Sequence, residues 1–304
     1  VVPKPGSPNC YYVIYKTACT NNLLPDEIRY LTVDMNNRTV SVSYMLSSGN
    51  QNEGMAVTKL DCMTTQRWLF FSKYVSNVFQ IYGCPITSAG ILSPVLAFNF
   101  GLNISSLGQG DMEISPDGTK MAIATMATNA NAMQDVLLFD LDDISGSLSN
   151  YRWIDAPNNY IASVEFSPDS QRLYLAQTGT SSIQNEIYNV PVQSTAYTVS
   201  VSTDKLPVTL DPGGVSFEIA YDQKLYFNSS GSIEYLSVIS NPNLLKFIAD
   251  SLDHKRRYFL HQQHLRNEEK SDKSHHVEQD GLEYHANTVE EKSEQYEIVM
   301  SRRA

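Results

Sequence analysis

The side chains with the most metal-binding and acid–base chemistry are concentrated near the C-terminal end of this sequence. All six histidines lie between His254 and His285. His261 and His264 are three residues apart, so on a helix both imidazoles would point to one side and could chelate the same metal ion. A solvated polar face explains the same spacing more simply, and we therefore predict no metal site in this segment.

An acidic run at Asp140, Asp142 and Asp143 resembles the beginning of a calcium-binding loop. An EF-hand loop also needs a glycine at its sixth position and a bidentate glutamate at its twelfth. Gly146 and the residues that follow it do not meet this spacing. We interpret the run as a structural turn rather than as a calcium site.

The sequence contains no recognisable catalytic or cofactor motif. A GxSxG nucleophile elbow, an HExxH zinc motif and a glycine-rich phosphate loop are all absent. A Ser-His-Asp triad would have to recruit a histidine from the C-terminal segment. We therefore predict no catalytic residue, no cofactor and no metal, and the sequence names no ligand-binding residue.

Three stretches of the chain share one pattern of strand, tight turn and strand. Residues 110–125, 163–177 and 215–228 alternate apolar and polar residues on both sides of a central turn. The turns carry the predicted structural residues Asp117, Gly118, Asp169 and Asp222. A glutamate occupies the same place in each copy, at Glu113, Glu165 and Glu218. The copies are about 50 residues apart, which is typical of propeller blades and solenoid units.

Apolar residues extend this period over the first 240 residues. Val13, Leu69, Met121, Leu173 and Leu225 fall 52 to 56 residues apart. Five antiparallel units of about 50–56 residues predict an all-β fold, a β-propeller. A two-sheet sandwich is the alternative, although it would not explain a motif that recurs at a fixed period.

The motifs resemble the WD40-like repeats with a Pro-Asp turn in secreted propellers, in particular those of large surface proteins of gliding bacteria. Asp34-Met35, Phe139-Asp140 and residues 164–169 (VEFSPD) match the repeat pattern of those proteins. The resemblance covers about residues 8–243. It implies an extracellular or cell-surface location, an adhesin-like role in binding a protein or a surface glycan, and one or two further blades after Asn243.

Charge and hydropathy exclude two classes of partner. A net charge of −11 and a pI near 5.0 leave no basic face for nucleic acid. No apolar run approaches the roughly 20 residues of a membrane span. The first residues, Val1-Val2-Pro3, lack a methionine and a signal peptide, which suggests a mature or excised product.

Four cysteines, all in the first third of the chain, predict at least one disulfide. An even number in an exported, strand-rich chain is typical of an oxidising compartment. Three pairings are open, and buried free thiols are the alternative. The residues concerned are Cys10, Cys19, Cys62 and Cys84.

The composition changes after Asn243, which divides the chain into a propeller (1–243) and a charged, histidine-containing segment (244–304). Leu245, Ile248, Leu252 and Phe259 fit one face of a helix over 244–265. Residues beyond 267 are charge-dense and predicted to be solvated or flexible.

Taken together, the residues and the resemblance predict a non-catalytic binding or structural module of a larger adhesin or assembly. The alternative is a propeller hydrolase, similar to a lactonase, with a metal site in its central channel. The lack of histidine in residues 1–243 counts against an enzyme of that kind.

Overall fold

The computed structural model describes residues 1–17, 26–59, 66–76, 78–100, 110–125, 135–157, 161–177, 185–193, 195–206, 215–229, 235–243 and 301–302. These residues form 22 β-strands and a single four-residue helix, α1 (Val201–Asp204). The predicted all-β class is confirmed.

The first two sheets are built from the N-terminal third of the chain. Blade 1 contains β1 (Val2–Pro3), β2 (Cys10–Thr17), β3 (Glu27–Asp34), β4 (Thr39–Val40) and β5 (Tyr44–Ser48). Blade 2 contains β6 (Asn50–Val57), β7 (Arg67–Val75), β8 (Val78–Thr87), β9 (Gly90–Ile91) and β10 (Val95–Asn99).

Three more sheets follow in chain order. Blade 3 contains β11 (Met112–Ile114), β12 (Lys120–Ala124), β13 (Val136–Asp142) and β14 (Ser147–Asp155). Blade 4 contains β15 (Ile161–Phe166), β16 (Arg172–Gln177) and β17 (Glu186–Pro191). Blade 5 contains β19 (Val215–Ile219), β20 (Leu225–Ser229), β21 (Tyr235–Ile239) and β22 (Ser301–Arg302).

Strand β18 (Tyr197–Thr198) departs from the meander pattern. Instead of adding a fourth strand to blade 4, it pairs in parallel with β14 at the outer edge of blade 3, with Ile154 opposite Tyr197. The other named strand pairs of the described residues are antiparallel. By pairing with β14, strand β18 covers an edge of blade 3 that would otherwise present unpaired N–H and C=O groups.

Apolar cores join each blade to the next one along the chain. Tyr12 of blade 1 packs with Phe71 of blade 2, and Phe70 of blade 2 packs in a core with Phe139 of blade 3. Blades 3 and 4 share a third core, and blades 4 and 5 share a fourth. Five antiparallel blades packed face to face are a β-propeller, which confirms the predicted architecture.

The repeated turns that the sequence singled out have one common geometry. In blade 3 the Ser115 hydroxyl donates to Asp117 at 2.6 Å, and Asp117 accepts the N–H of Thr119 at 3.0 Å. In blade 4 the Ser167 hydroxyl donates to Asp169 at 2.6 Å. In blade 5 Asp222 accepts the N–H of Lys224 at 3.3 Å.

The residue after each of these aspartates has a positive φ. Gly118 has φ +75°, and Ser170 and Gln223 hold the same place at +62° and +64°. A left-handed conformation strains a residue with a Cβ, yet Ser170 is placed to accept the N–H of Asp117 at 3.1 Å from the neighbouring turn. The hydroxyl that replaces glycine therefore links the turns of blades 3 and 4.

The predicted disulfide finds no support. Cys10 is half-buried and Cys84 is fully buried in the core between blades 1 and 2, and both are free thiols. Cys19 and Cys62 lie outside the described residues. Burial raises the pKa of the Cys84 thiol to about 12, so its sulfur is a neutral core atom.

The predicted helix over 244–265, and with it the division of the chain at Asn243, falls outside the described residues and stays a prediction. Ser301–Arg302 pairs with Tyr235 and Leu236 of blade 5. Among the described residues, no helix has the length and apolar character needed to cross a membrane.

Candidate functional site

Four carboxylic acids gather where the inner strands of blades 3, 4 and 5 meet. These strands are the first of each blade, and β15 lies in contact with both β11 and β19. Asp111 immediately precedes β11, and the other acids lie within the three strands: Glu113 in β11, Glu165 in β15 and Glu218 in β19.

Strand alternation explains the direction in which the acids point. Met112 is buried in the core against blade 2 with Ile114 packed on it, so Asp111 and Glu113 project to the other side, toward blade 4. In β15, Val164 and Phe166 are buried against blade 3, which turns Glu165 toward blade 5. Each inner strand thus places its apolar residues on the preceding blade and its acid toward the following one.

Hydrogen bonds across the blade boundaries hold these acids in place. The Ser163 hydroxyl of blade 4 donates to the Asp111 carboxylate of blade 3 at 2.7 Å, and Ser163 accepts the N–H of Phe217 at 3.4 Å. Glu165 is 6% exposed and accepts the N–H of Phe166 at 2.9 Å and that of Ile219, in blade 5, at 3.3 Å. The acids therefore connect three blades.

Burial and mutual repulsion raise the pKa values of these groups. Desolvation first, and then the charges of Glu165, Asp111 and Glu218, raise the pKa of Glu113 to about 10. Desolvation and the charge of Glu218 raise the pKa of Glu165 to about 7. Burial also raises the pKa of Asp111. Glu113 is therefore protonated at neutral pH and can donate a proton.

The arrangement can hold and release protons. Within the part of the chain that the structure describes, no three acidic, histidine or cysteine side chains are placed to bind one metal ion. Chemically, the site can donate a proton from Glu113 or exchange one through Glu165, since their raised pKa values lie near or above neutrality.

The predicted turn residues lie apart from the acids. Asp117, Gly118, Asp169 and Asp222 sit in the turns that connect the first and second strands of their blades. The run once compared with a calcium loop also forms a turn, because Asp142 accepts the N–H of Ile144 at 3.0 Å and the hydroxyl of Ser145 at 2.8 Å.

Sequence reasoning identified the three glutamates as repeat positions but not as a site, and it missed Asp111 altogether. The alternation of apolar and polar residues along each inner strand could have revealed the site. An acid between two apolar residues of an inner strand must point into a blade interface, where its repeat-equivalent neighbours also point. Asp111 lies two residues before Glu113, so it belongs to the same face.

Comparisons with known proteins bear on the fold. No protein-family model matches the chain, and no curated protein matches it. The periplasmic gluconolactonase of Pseudomonas aeruginosa superposes with a TM-score of 0.51 at 14% identity, over 78% of this chain and 66% of that chain. The chain thus spans just under two thirds of the length of the gluconolactonase.

Two further solved structures match more loosely. The β-propeller domain of the Trilobed protease from Pyrococcus furiosus gives a TM-score of 0.41 at 10% identity, over 81% of this chain and 69% of that chain. A GH43_1 enzyme from Xanthomonas citri gives a TM-score of 0.41 at 10% identity, over 78% of this chain and 80% of that chain. At such low identities the likeness is one of fold alone. The five sheets of the structure make the chain a five-blade β-propeller.

Proposed function

We propose that this chain is a non-catalytic binding module of a larger extracellular or cell-surface assembly, and that it contacts a protein partner through blade 1. The observation that supports this proposal is an apolar sheet face on blade 1 that belongs to none of the interblade cores of the described residues. We call it the blade-1 face and define it by six residues: Tyr11, Val13, Leu31, Val33, Val40 and Met45.

The strand register places these six side chains on one side of the sheet. Tyr11 lies opposite Val33, and Val13 lies opposite Leu31. Val40 lies opposite Val33 on the next strand, which continues the same face to the outer edge of the blade. The intervening residues point the other way, as buried Tyr12 does in the core shared with blade 2.

The blade-1 face is open to solvent at its outer edge. Val40 is 62% exposed and Met45 is 55% exposed, whereas Tyr11, Val13 and Leu31 are half-buried by their neighbours in the sheet. Contiguous apolar surface of this kind, next to an uncovered outer strand, is typical of protein–protein contact sites.

The other blades differ from blade 1. Blades 2, 3 and 4 each have an apolar core on both faces. The outward side of blade 5 carries exposed Ser216, Glu218 and Asn228, so it is polar. Among the described residues, only blade 1 combines an uncovered face with apolar side chains, and this difference favours it as the binding surface.

Site-specific photocrosslinking of the full chain tests the proposal. Benzoylphenylalanine in place of Val40 should crosslink to one discrete protein in extracellular and cell-envelope fractions of the source cells. The matched control places the same probe at Tyr221, which is fully exposed on the blade 5 turn. Leu31→Glu, combined with the probe at position 40, should abolish the crosslink because it puts a charge on the face.

The melting temperature of Leu31→Glu should remain close to that of the unchanged protein, since Leu31 contributes to no interblade core. Identical crosslinks from positions 40 and 221, or none from either, would contradict the proposal. A crosslink at position 40 that survives Leu31→Glu would show that the partner uses another surface.

A second candidate function, hydrolysis by a lactonase-like mechanism, is favoured by the inner-strand acids. A structural neighbour is a gluconolactonase, although the likeness at 14% identity extends to the fold alone. If the acids were catalytic, lactone hydrolysis measured with added divalent cations would fall at least tenfold in Glu113→Gln and in Glu165→Gln. Absence of hydrolysis in the unchanged protein would eliminate this candidate.

A further inference from the structure

Two aspartates face each other at one end of blade 3, away from the inner-strand acids. Asp135 directly precedes β13, and Asp155 is the last residue of β14. Val136 pairs with Ile154, so the next position outward places Asp135 opposite Asp155. Cβ atoms of directly opposite residues are about 4.5–5.5 Å apart, and like charges at that separation destabilise a sheet.

Each aspartate has a buried oxygen atom without a partner. The Oδ1 atoms of both residues are buried and accept no hydrogen bond. Asp135 is only 1% exposed, and its other oxygen accepts the N–H of Ala156 at 2.6 Å. That bond holds one oxygen of the carboxylate and leaves the Oδ1 atom without a donor. A buried carboxylate oxygen with no donor is costly, so it calls for a counter-charge.

The backbone around the pair cannot easily relax. The N–H and hydroxyl of Thr125 donate to the Asp135 carbonyl at 3.0 and 3.1 Å. The N–H of Val199, next to β18, donates to the Asp155 carbonyl at 2.8 Å. Hydrogen bonds on both sides thus fix the backbone of the two acids at this end of blade 3.

We propose that Asp135 and Asp155 together bind one divalent cation, Ca²⁺, through their two unpartnered Oδ1 atoms. One ion neutralises both charges and supplies both oxygens with a partner, whereas a single proton neutralises only one of them. Ligands that are all oxygen select a hard cation, and Ca²⁺ accepts irregular coordination completed by carbonyl oxygens and water more readily than Mg²⁺. Asp155 is half-buried, which gives the ion a path from solvent.

Protonation is the competing explanation for the pair. Burial, together with the charge of Asp155, raises the pKa of Asp135 to about 6. A proton shared by the pair would remove one of the two charges and would be released as the pH rises, whereas a bound cation would remain. Measurements at pH 7.5 therefore separate the two explanations.

Thermal unfolding of the full chain at pH 7.5, in EDTA, in CaCl₂ and in MgCl₂, tests the proposal. Ca²⁺ should raise the melting temperature of the unchanged protein by several degrees, and Mg²⁺ should raise it less. Neither ion should stabilise Asp135→Asn or Asp155→Asn. The matched control is Glu165→Gln, a buried acid at another place, which should keep the full response to Ca²⁺.

The asparagine variants give a second, independent measurement. In EDTA they should melt at the same temperature as the unchanged protein or higher, because one of two repelling charges is gone, and in Ca²⁺ they should melt lower. Calorimetric titration should find one Ca²⁺ per chain. A calcium response that is equal in all variants, or absent from the unchanged protein, would overturn the site. Stability that ignores Ca²⁺, with a fall through pH 6 that becomes shallower in Asp135→Asn, would identify a shared proton instead.

Discussion

The Ser163 hydroxyl donates a hydrogen bond of 2.7 Å to the Asp111 carboxylate, and the two residues occupy the same position in successive repeats. Each lies two residues before the repeated glutamate, Asp111 before Glu113 and Ser163 before Glu165. Two aspartates at these places would supply two charged acceptors and no donor, and two serines would supply two hydroxyls and no charged acceptor. Divergence at this one repeat position creates a charged acceptor with a matching donor, which links the inner strands of blades 3 and 4.

Removal of that donor should destabilise the propeller. Ser163→Ala leaves the half-buried Asp111 carboxylate without its side-chain donor. A hydrogen bond to a charged group contributes about 1.5–3 kcal/mol. We expect a loss of this size in the free energy of unfolding, measured by urea denaturation. The control is Ser216→Ala at the equivalent, exposed place in blade 5, which should change stability by less than about 0.5 kcal/mol. Equal effects of the two variants would contradict the interblade role of Ser163.

The repeat architecture could be predicted from the sequence because its turn chemistry is local. Asp117 and Asp169 bond to groups within a few residues of themselves, and their spacing along the chain alone reveals the blades. The acidic site was only half predictable. Repetition identified Glu113, Glu165 and Glu218, but their raised pKa values arise from burial and from acids on other blades, and these are not visible in any single repeat.

Two features had no signal in the sequence. Strand β18 leaves blade 4 and pairs with blade 3, and the two-residue contact depends on where the chain runs after β17 rather than on its composition. The facing of Asp135 and Asp155 depends on the register of β13 against β14 across a separation of twenty residues. Pairing at such a distance is fixed by packing in the folded protein, and it cannot be predicted from the spacing of the repeats in the sequence.

The glycine of the blade 3 turn should tolerate substitution poorly. Gly118 has φ +75°, and an added Cβ would lie 3.0 Å from the Asp143 carboxylate. We expect Gly118→Ala to cost about 1–2 kcal/mol of stability, the cost of a left-handed conformation for a residue with a side chain. The reciprocal variant, Gln223→Gly at φ +64°, should cost nothing or stabilise slightly. Urea denaturation measures both, and a neutral Gly118→Ala would disprove the strain argument.

Close packing of Gly146 against Trp68 predicts a larger effect at the boundary between blades 2 and 3. A Cβ at position 146 would lie 2.4 Å from the indole ring, and the Trp68 Nε1–H donates to the Ile144 carbonyl at 3.2 Å. Gly146→Ala must therefore displace the indole ring or the turn. We expect a loss of about 2–4 kcal/mol, the sum of an overpacked core and a strained φ.

Gly118→Ala separates the two contributions to that loss. Gly118 has nearly the same φ, +75° against +70°, but the Cβ that would be added meets only the end of the Asp143 side chain. Thermal unfolding should show a clearly smaller loss for Gly118→Ala than for Gly146→Ala. A similar loss for both variants would mean that the backbone conformation, and not the contact with Trp68, accounts for the effect.

The inner-strand acids predict that stability falls as pH rises. The folded-state pKa values of Glu113 and Glu165 lie above their ordinary value near 4.5, so the folded protein binds more protons than the unfolded chain at intermediate pH. Their contribution to folding stability is fully present below about pH 4.5. It is lost as the pH rises through about 7 for Glu165 and through about 10 for Glu113. In EDTA, which removes any effect of bound cations, the melting temperature should decline across this range.

Replacing either glutamate with its neutral isostere should flatten that decline. Glu165→Gln should reduce the slope between pH 5 and pH 7, and Glu113→Gln should reduce it over that range and up to about pH 10, because an amide carries no charge that must be desolvated. One pKa unit corresponds to about 1.4 kcal/mol, so the flattening should be well within the sensitivity of thermal unfolding. Glu218→Gln should also reduce the slope, because the charge of Glu218 raises the pKa of Glu165. Asp222→Asn is the control, since this turn aspartate is exposed and its pKa is lowered rather than raised. A slope that is unchanged in Glu113→Gln and Glu165→Gln would place the pH dependence elsewhere and disprove the coupling among these acids.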